Sequence, residues 1–357
     1  MDKDVRFKII FIGLVFILLA GCAGIGPGTV DRDRFDYVNA ISNSWKKQML
    51  LNLVKTRYVD APVFMDVTSI ISQYAIEGQI NLGGTFRGDS ILGDSQTLGG
   101  SGKYTDRPTI TYSPLMGEKF TRNLMTPIPV SAFLAMIQAG YPVDYMFRIC
   151  VQTINGIDNR FGGERMGRTA HPDFYRLTGA MRRIQQKGGL GMRVKHLEKK
   201  KTTVMFFRRE YSDEMAEDIN TVWQILGLDT EVKEYRVVYG VYPIDNKEIA
   251  ILTRSLLQIV IDLASYTDVP AKDVLERRVG AEVYDDKASG VPPLIRIRNG
   301  ASPPDDAFVS VKYRNNWFWI EDTDLESKRT FTFLMILFSL TETGTKTGTP
   351  IVTVPTN

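Results

Sequence analysis

Cysteine and histidine are scarce in this chain, with two of each among 357 residues. That is too few for a disulfide-stapled fold or an ordinary zinc cluster. Neither sign of charge is in excess: 44 basic and 41 acidic residues give a formal net charge of +3, so nothing global points to nucleic acid. Familiar catalytic signatures are missing too, since there is no G-x-S-x-G elbow, H-E-x-x-H helix or C-x-x-C pair. Gly99, Gly100, Gly102 and Lys103 do not make a phosphate loop, because Thr97 stands where the first glycine is needed and Tyr104 where Ser or Thr is needed. The apolar runs Ile9 to Ala20 and Phe331 to Leu340 both fall short of the roughly 20 residues of a membrane-spanning helix. What is present is a 43% hydrophobic chain, able to bury a substantial core in one large domain or two.

The first 22 residues carry the clearest signal. Lys3, Arg6 and Lys8 precede the Ile9 to Ala20 run, and Leu19, Ala20, Gly21 and Cys22 follow at its end. This segment resembles the signal peptide and lipobox of bacterial lipoproteins. The resemblance implies cleavage before Cys22, a diacylglycerol thioether on its sulfur and an acylated amino terminus. Three acyl chains make anchoring effectively permanent, because a single myristoyl chain gives only about 10⁴ M⁻¹ and each further buried CH₂ adds roughly 0.8 kcal/mol. Ala23 follows the cysteine where an aspartate would resemble an inner-membrane retention signal, so the expected location is the periplasmic face of the outer membrane. The remaining chain resembles bacterial lipoproteins to which no function is attached. Removing residues 1 to 21 takes away three basic and two acidic side chains and leaves +2. Lipidation of Cys22 leaves Cys150 alone. It shares helical spacing with Val143, Met146, Phe147, Val151 and Ile154, which marks a buried small hydrophobe and not a nucleophile.

The expected fold class is α+β: an N-terminal helical region with a long β-hairpin, then a C-terminal mixed α/β, sandwich-like domain. Residues 1–21 are the signal peptide and 22–30 a flexible lipidated tether. Residues 31–160 form a helical domain with a hairpin and a Gly-rich loop at 87–107, 161–189 a connecting helix, and 190–357 a mixed domain. Phe35, Val38, Ile41, Trp45, Met49 and Leu53 recur every 3.6 residues, predicting a helix from Arg32 to Tyr58 whose stripe faces the protein's own core or a neighbouring subunit. Period two then sets in. Tyr74, Ile76, Ile80, Leu82 and Phe86 alternate with Gln73, Glu77, Gln79, Asn81 and Thr85, and a second alternating run occupies 109–112. Prolines and glycines punctuate helices at 117–125, 129–140, 142–155 and 172–187. Asp245 and Glu248 suggest the start of a central buried helix to Ser265, and Thr323 with Glu326 a capping box for a helix to Leu340.

Two segments are candidates for contact beside the alternating hairpin. Residues 182–209 hold ten basic side chains and a single acid, Glu198. The ten are Arg182, Arg183, Lys187, Arg193, Lys195, Lys199, Lys200, Lys201, Arg208 and Arg209. This local +9 against a −7 remainder suits an anionic lipid surface or an acidic protein, each cation contributing about 1 kcal/mol against such a surface. Tyr313, Trp317 and Trp319 concentrate aromatic area in one hairpin. His171 and His196 read as a capping and a solvated residue.

Taken together these features predict a non-catalytic scaffold or assembly component of a cell-envelope complex, with no catalytic residue, metal or cofactor. Its partners are the membrane, through the lipid anchor, and an envelope protein; a homo-oligomer is a further possibility and nucleic acid is excluded by compartment. Two alternatives stand beside it. One is an oligomeric outer-membrane pore or secretion lipoprotein that uses the 70–112 hairpin; the other is an unrecognised periplasmic hydrolase.

Overall fold

Helical periodicity gives way to period two near residue 64, and in the computed structural model the backbone changes there from helix to strand. The structure describes residues 25–71, 74–85, 95–163, 167–197, 200–208, 212–280 and 290–341. The lipobox and the expected Cys22 attachment site lie outside them. The architecture is mixed α/β, with an N-terminal helix, an early antiparallel hairpin and a larger mixed sheet later in the chain. Two compact units are distinguished, one from residues 1–45 and 65–114 and the other from 46–64 and 115–357.

Helix α1 spans Ile25–Arg57 and so takes in most of the segment expected to be a flexible tether. Pro27 permits this, because the first turn of a helix has no use for its N–H groups. Its apolar stripe is covered only at one end: Met49 and Leu53 are buried, whereas Phe35 and Val38 are exposed.

The first unit holds two strand pairs. β1 (Phe64–Ile71) pairs with β4 (Thr109–Leu115), and β2 (Tyr74–Thr85) with β3 (Ser95–Asp106). Residues 95–106 are therefore strand, where a Gly-rich loop was expected. The glycines of β3 lower its intrinsic strand preference, but each sits opposite a β2 residue that supplies pairing, and cross-strand context outweighs propensity. Pro108, which has no N–H to give a ladder, stands between β3 and β4.

In the second unit, short helices α2 (Glu118–Met125), α3 (Val130–Gln138) and α4 (Val143–Cys150) lead into a six-stranded sheet. Its strands are β5 (Val151–Ile154), β6 (Ile157–Asp158), β7 (Leu190–Leu197), β8 (Lys200–Phe207), β9 (Tyr235–Tyr239) and β10 (Glu248–Thr253), in the order β6-β5-β10-β9-β8-β7. Pairing is antiparallel throughout except between β9 and β10. Helices α5 (Pro172–Gln186) and α6 (Asp213–Leu226) pack on each other, and α7 (Leu256–Ala264) and the short α8 (Ala271–Leu275) follow β10. A three-stranded sheet of β11 (Arg298–Gly300), β12 (Val309–Tyr313) and β13 (Asn316–Ile320) precedes α9 (Leu325–Thr341).

Three local expectations are corrected. The helix ending at Asn155-Gly156 stops instead at Cys150. Asn155 and Gly156, at φ 45° and 79°, form the tight turn between β5 and β6. The carbonyls at the end of α4 are taken by buried side chains, since Asn159 Nδ2 donates to Arg148 at 3.0 Å and Arg254 Nη1 to Arg148 and Ile149 at 3.1 and 3.3 Å. Second, Glu248–Thr253 is the central strand β10, and the helix starts only after Ser255, with a Ser255/Gln258 capping box. A run as short as Ile249 to Leu252, apolar throughout, cannot be assigned to helix or strand by periodicity alone. Third, α9 is capped by Asp324 and not by Thr323: its Oδ1 accepts from the Ser327 N–H at 3.1 Å and its Oδ2 from the Ser327 hydroxyl at 2.8 Å.

The core joins these elements through aromatic contacts. Phe64 lies 4.2 Å from Phe338 and Phe133 lies 5.1 Å from Phe147, centroid to centroid.

Candidate functional site

Strand residues alternate between faces, so the β2–β3 register fixes what each face of this ribbon carries. Pairing is one to one from Tyr74 opposite Asp106 to Thr85 opposite Ser95. One face receives Tyr74, Ile76, Ile80, Leu82, Leu98 and Tyr104, together with Gly78, Gly84, Gly100 and Gly102 and, towards the two ends of β3, Gln96 and Asp106. The other receives Glu77, Gln79, Asn81, Thr97, Ser101 and Lys103. Glu77 and Lys103, directly opposite, form an exposed ion pair at 3.7 Å. From Ile76 to Leu82 and from Leu98 to Tyr104 the first face takes apolar residues and glycine alone, while Asp106 and Gln96 place polar residues towards its two ends. Among the described residues neither strand has a second neighbour. In the same unit Met65, Ile110 and Tyr112 are exposed, and the Thr68 hydroxyl donates to the Thr111 carbonyl at 3.1 Å.

The basic segment is less uniform in space than in sequence. Arg183 donates to Asp218 at 2.6 and 2.9 Å, Lys187 to Glu214 at 2.7 Å, and Arg193 to Glu234 while its guanidinium lies 4.9 Å from the Phe206 ring. Arg182 bonds Gln185 at 2.8 Å and lies 3.7 Å from Asp144. The Lys187 hydrogen bond lowers the pKa of the Glu214 carboxyl. Carboxylates 27 to 41 residues away therefore offset much of a charge that looks isolated along the chain. Arg208 is exposed; the side chains of Lys195, Lys199, Lys200, Lys201 and Arg209 lie outside the described residues.

The aromatic hairpin is mostly occupied internally. Phe318 and Ile320 are buried, while Tyr313, Trp317 and Trp319 are half-buried on the opposite face or at the turn. Tyr313 donates to Asp60 at 3.0 Å and packs 5.3 Å from the Tyr58 ring, over which Arg314 lies at 5.0 Å. Tyr58 in turn donates to Asp273 at 2.6 Å; burial, that bond and the Asp273 charge push its phenol well above the ordinary range.

Two further assemblies join stretches too far apart for sequence reading to connect. A cleft of about 820 Å³, within the size range of small-molecule sites, is lined by Tyr145, Arg148, Arg182, Arg329, Phe333 and Ile336 among others. Its cations are engaged: Arg148 donates to the Pro292 carbonyl at 2.5 Å and Arg329 to Glu326 at 2.6 Å. Burial pushes Tyr145 up to about 12, so it remains a neutral hydroxyl. The second assembly is buried. Asp262 accepts from Arg160 Nη1 at 2.8 Å, Arg254 Nη1 at 3.0 Å and the Gly162 N–H at 2.8 Å. Arg254 is 0% exposed and Arg160 5%. This buried cluster ties the segment after β6 to α7.

Cys150 is buried and burial pushes its thiol up to about 12, which leaves no thiolate for chemistry at neutral pH. His171 caps α5, its Nδ1 accepting from the Asp173 N–H at 3.2 Å. The side chain of His196 lies outside the described residues. Among the described residues no group of three His, Cys, Asp or Glu side chains could hold a metal ion, and no helix is long and apolar enough to cross a membrane. No protein-family model, curated protein or solved structure matches the chain.

Proposed function

We propose that this chain is an outer-membrane lipoprotein, held on the periplasmic face through Cys22, that works by assembly and not by catalysis. The β2–β3 ribbon is the observation that supports this most, because it lies in the smaller of the two units and its pairing groups remain free at both edges among the described residues. Open edges and an apolar face are features that chains bury by associating. The exposed Phe35 and Val38 on α1 add apolar surface of the same kind. The lipobox at Leu19, Ala20, Gly21 and Cys22 supports the anchor.

The test is mass spectrometry of the N-terminal peptide from membrane-extracted protein, with density-gradient fractionation of the cells. The expected result is a peptide beginning at a triacylated Cys22, in the outer-membrane fraction. An unmodified cysteine or an intact leader overturns the anchor. Crosslinking in intact cells tests the assembly: capture of only monomeric chain, free of any envelope protein, would contradict it.

A further inference from the structure

A two-stranded ribbon with one apolar and one polar face is not self-sufficient in water: three or more strands, or a covering layer, are needed for stability. Covering it with another protein layer would satisfy the apolar face but not both edges. A bilayer would cover the face, and further strands would close the edges, because closed barrels are the only sheets that leave no backbone group unpaired in lipid. We propose that the ribbons of several copies of this chain join edge to edge within the membrane, each copy giving β2 and β3 to a closed barrel with Ile80 and Leu82 toward lipid and Gln79 and Asn81 toward the lumen. This rests on the anchored, assembling protein proposed above and names its partner as a second copy of the same chain.

Dimensions, patterning and the placement of charge converge on this arrangement. Twelve paired residues at about 3.3 Å each make a ribbon of about 40 Å, which a tilt of about 45° reduces to about 28 Å, close to the roughly 25 Å apolar band of membrane barrels. The alternation has the dyad period of such strands and holds in register from Ile76 to Leu82 and from Leu98 to Tyr104. Tyr74 and Tyr104 fall near one end of the apolar face, where membrane barrels carry aromatic girdles. Glu77 and Lys103 fall on the polar face, opposite each other, so the lumen side carries a compensated pair; on the lipid side the stretches from Ile76 to Leu82 and from Leu98 to Tyr104 carry no charge, and Asp106 falls at the end of the ribbon beside Tyr74, at the level of the membrane surface. Two strands per copy make the strand number even. Four copies give eight strands, a barrel whose interior side chains fill, while a water-filled channel needs about sixteen strands, or eight copies.

The experiment uses the full lipidated protein in phosphatidylcholine vesicles, with cysteine placed singly at Gln79, Ile80, Asn81 or Leu82 and labelled with an environment-sensitive fluorophore. Acylated Cys22 and buried Cys150 do not compete for the label. Spin-labelled lipid is the quencher, and flotation of each variant on a density gradient is measured in parallel. The expected result is quenching at positions 80 and 82, little or none at 79 and 81, and flotation throughout. Equal quenching at all four positions, or none in protein that floats, overturns the barrel and leaves the anchor standing. Alternating quenching in protein whose Cys22 proves unmodified supports the barrel and overturns the anchor. An Ile80→Asp, Leu82→Asp variant supplies a second test: it should float as the wild type does but lose the higher oligomer, and an unchanged oligomer would refute the edge-to-edge pairing.

Discussion

Replacing Asp262 with asparagine removes a carboxylate bonded to both Arg160 and Arg254 while keeping the side-chain volume. The structure sets the scale of the loss. Two guanidinium groups, 0% and 5% exposed, each donate to Asp262, and the Gly162 N–H adds a third bond to the same carboxylate. Arg254 also donates to the Arg148, Ile149 and Arg160 carbonyls, so it cannot turn toward water without releasing the end of α4. Removing one partner from a buried ion cluster costs about 3–5 kcal/mol, because the remaining charge stays desolvated. Asp262→Asn in a Cys22→Ser background should therefore lower stability by about 3–5 kcal/mol in urea titrations followed by tryptophan fluorescence. An Arg160→Met, Asp262→Leu, Arg254→Met triple variant should lose less than Asp262→Asn, since replacing a whole buried cluster with apolar groups is often near neutral. A loss below about 1 kcal/mol for Asp262→Asn would refute the reasoning, as an exposed pair costs no more than that.

Other perturbations test separate parts of the account. Burial holds Tyr145, Tyr235 and Tyr266 protonated up to about 12, above the ordinary 10 of the unfolded chain. Their contribution to stability is complete below pH 10 and is lost as pH rises from 10 towards 12, so urea midpoints should fall over that window; constant midpoints would contradict the burial. Cys150 in a Cys22→Ser protein should react with a thiol reagent at pH 8 only as fast as the chain unfolds, and rapid labelling of the native state would show an open site. Asn155→Ala should cost about 1–3 kcal/mol by urea titration, because Asn155 accepts from the Ala250 N–H at 2.7 Å, donates to the Leu226 carbonyl at 3.0 Å and holds φ at 45°.

Punctuation made much of the helical part legible. Pro129, Pro142 and His171-Pro172 each stand immediately before or at the start of a helix. Strands β5 and β10 were misread because they are only four and six residues long, and what decides so short a run is its partner: β10 lies between β5 and β9, which come from stretches far apart and close by in the chain. β3 was misread for the opposite reason, since its glycines hide an alternation that appears only when it is laid against β2. The candidate sites divide in the same way. A lipid attachment site is written in consecutive residues, whereas the Arg183–Asp218 pair, the Arg160–Asp262–Arg254 cluster and the cleft beside Tyr145 arise from long-range folding and leave no local trace.

Assembly through the ribbon is most directly tested by the native mass of the detergent-extracted, lipidated protein. A single discrete species of at least four copies is predicted, converting to a smaller one in the Ile80→Asp, Leu82→Asp variant. A monomer in every detergent that preserves the fold would contradict it.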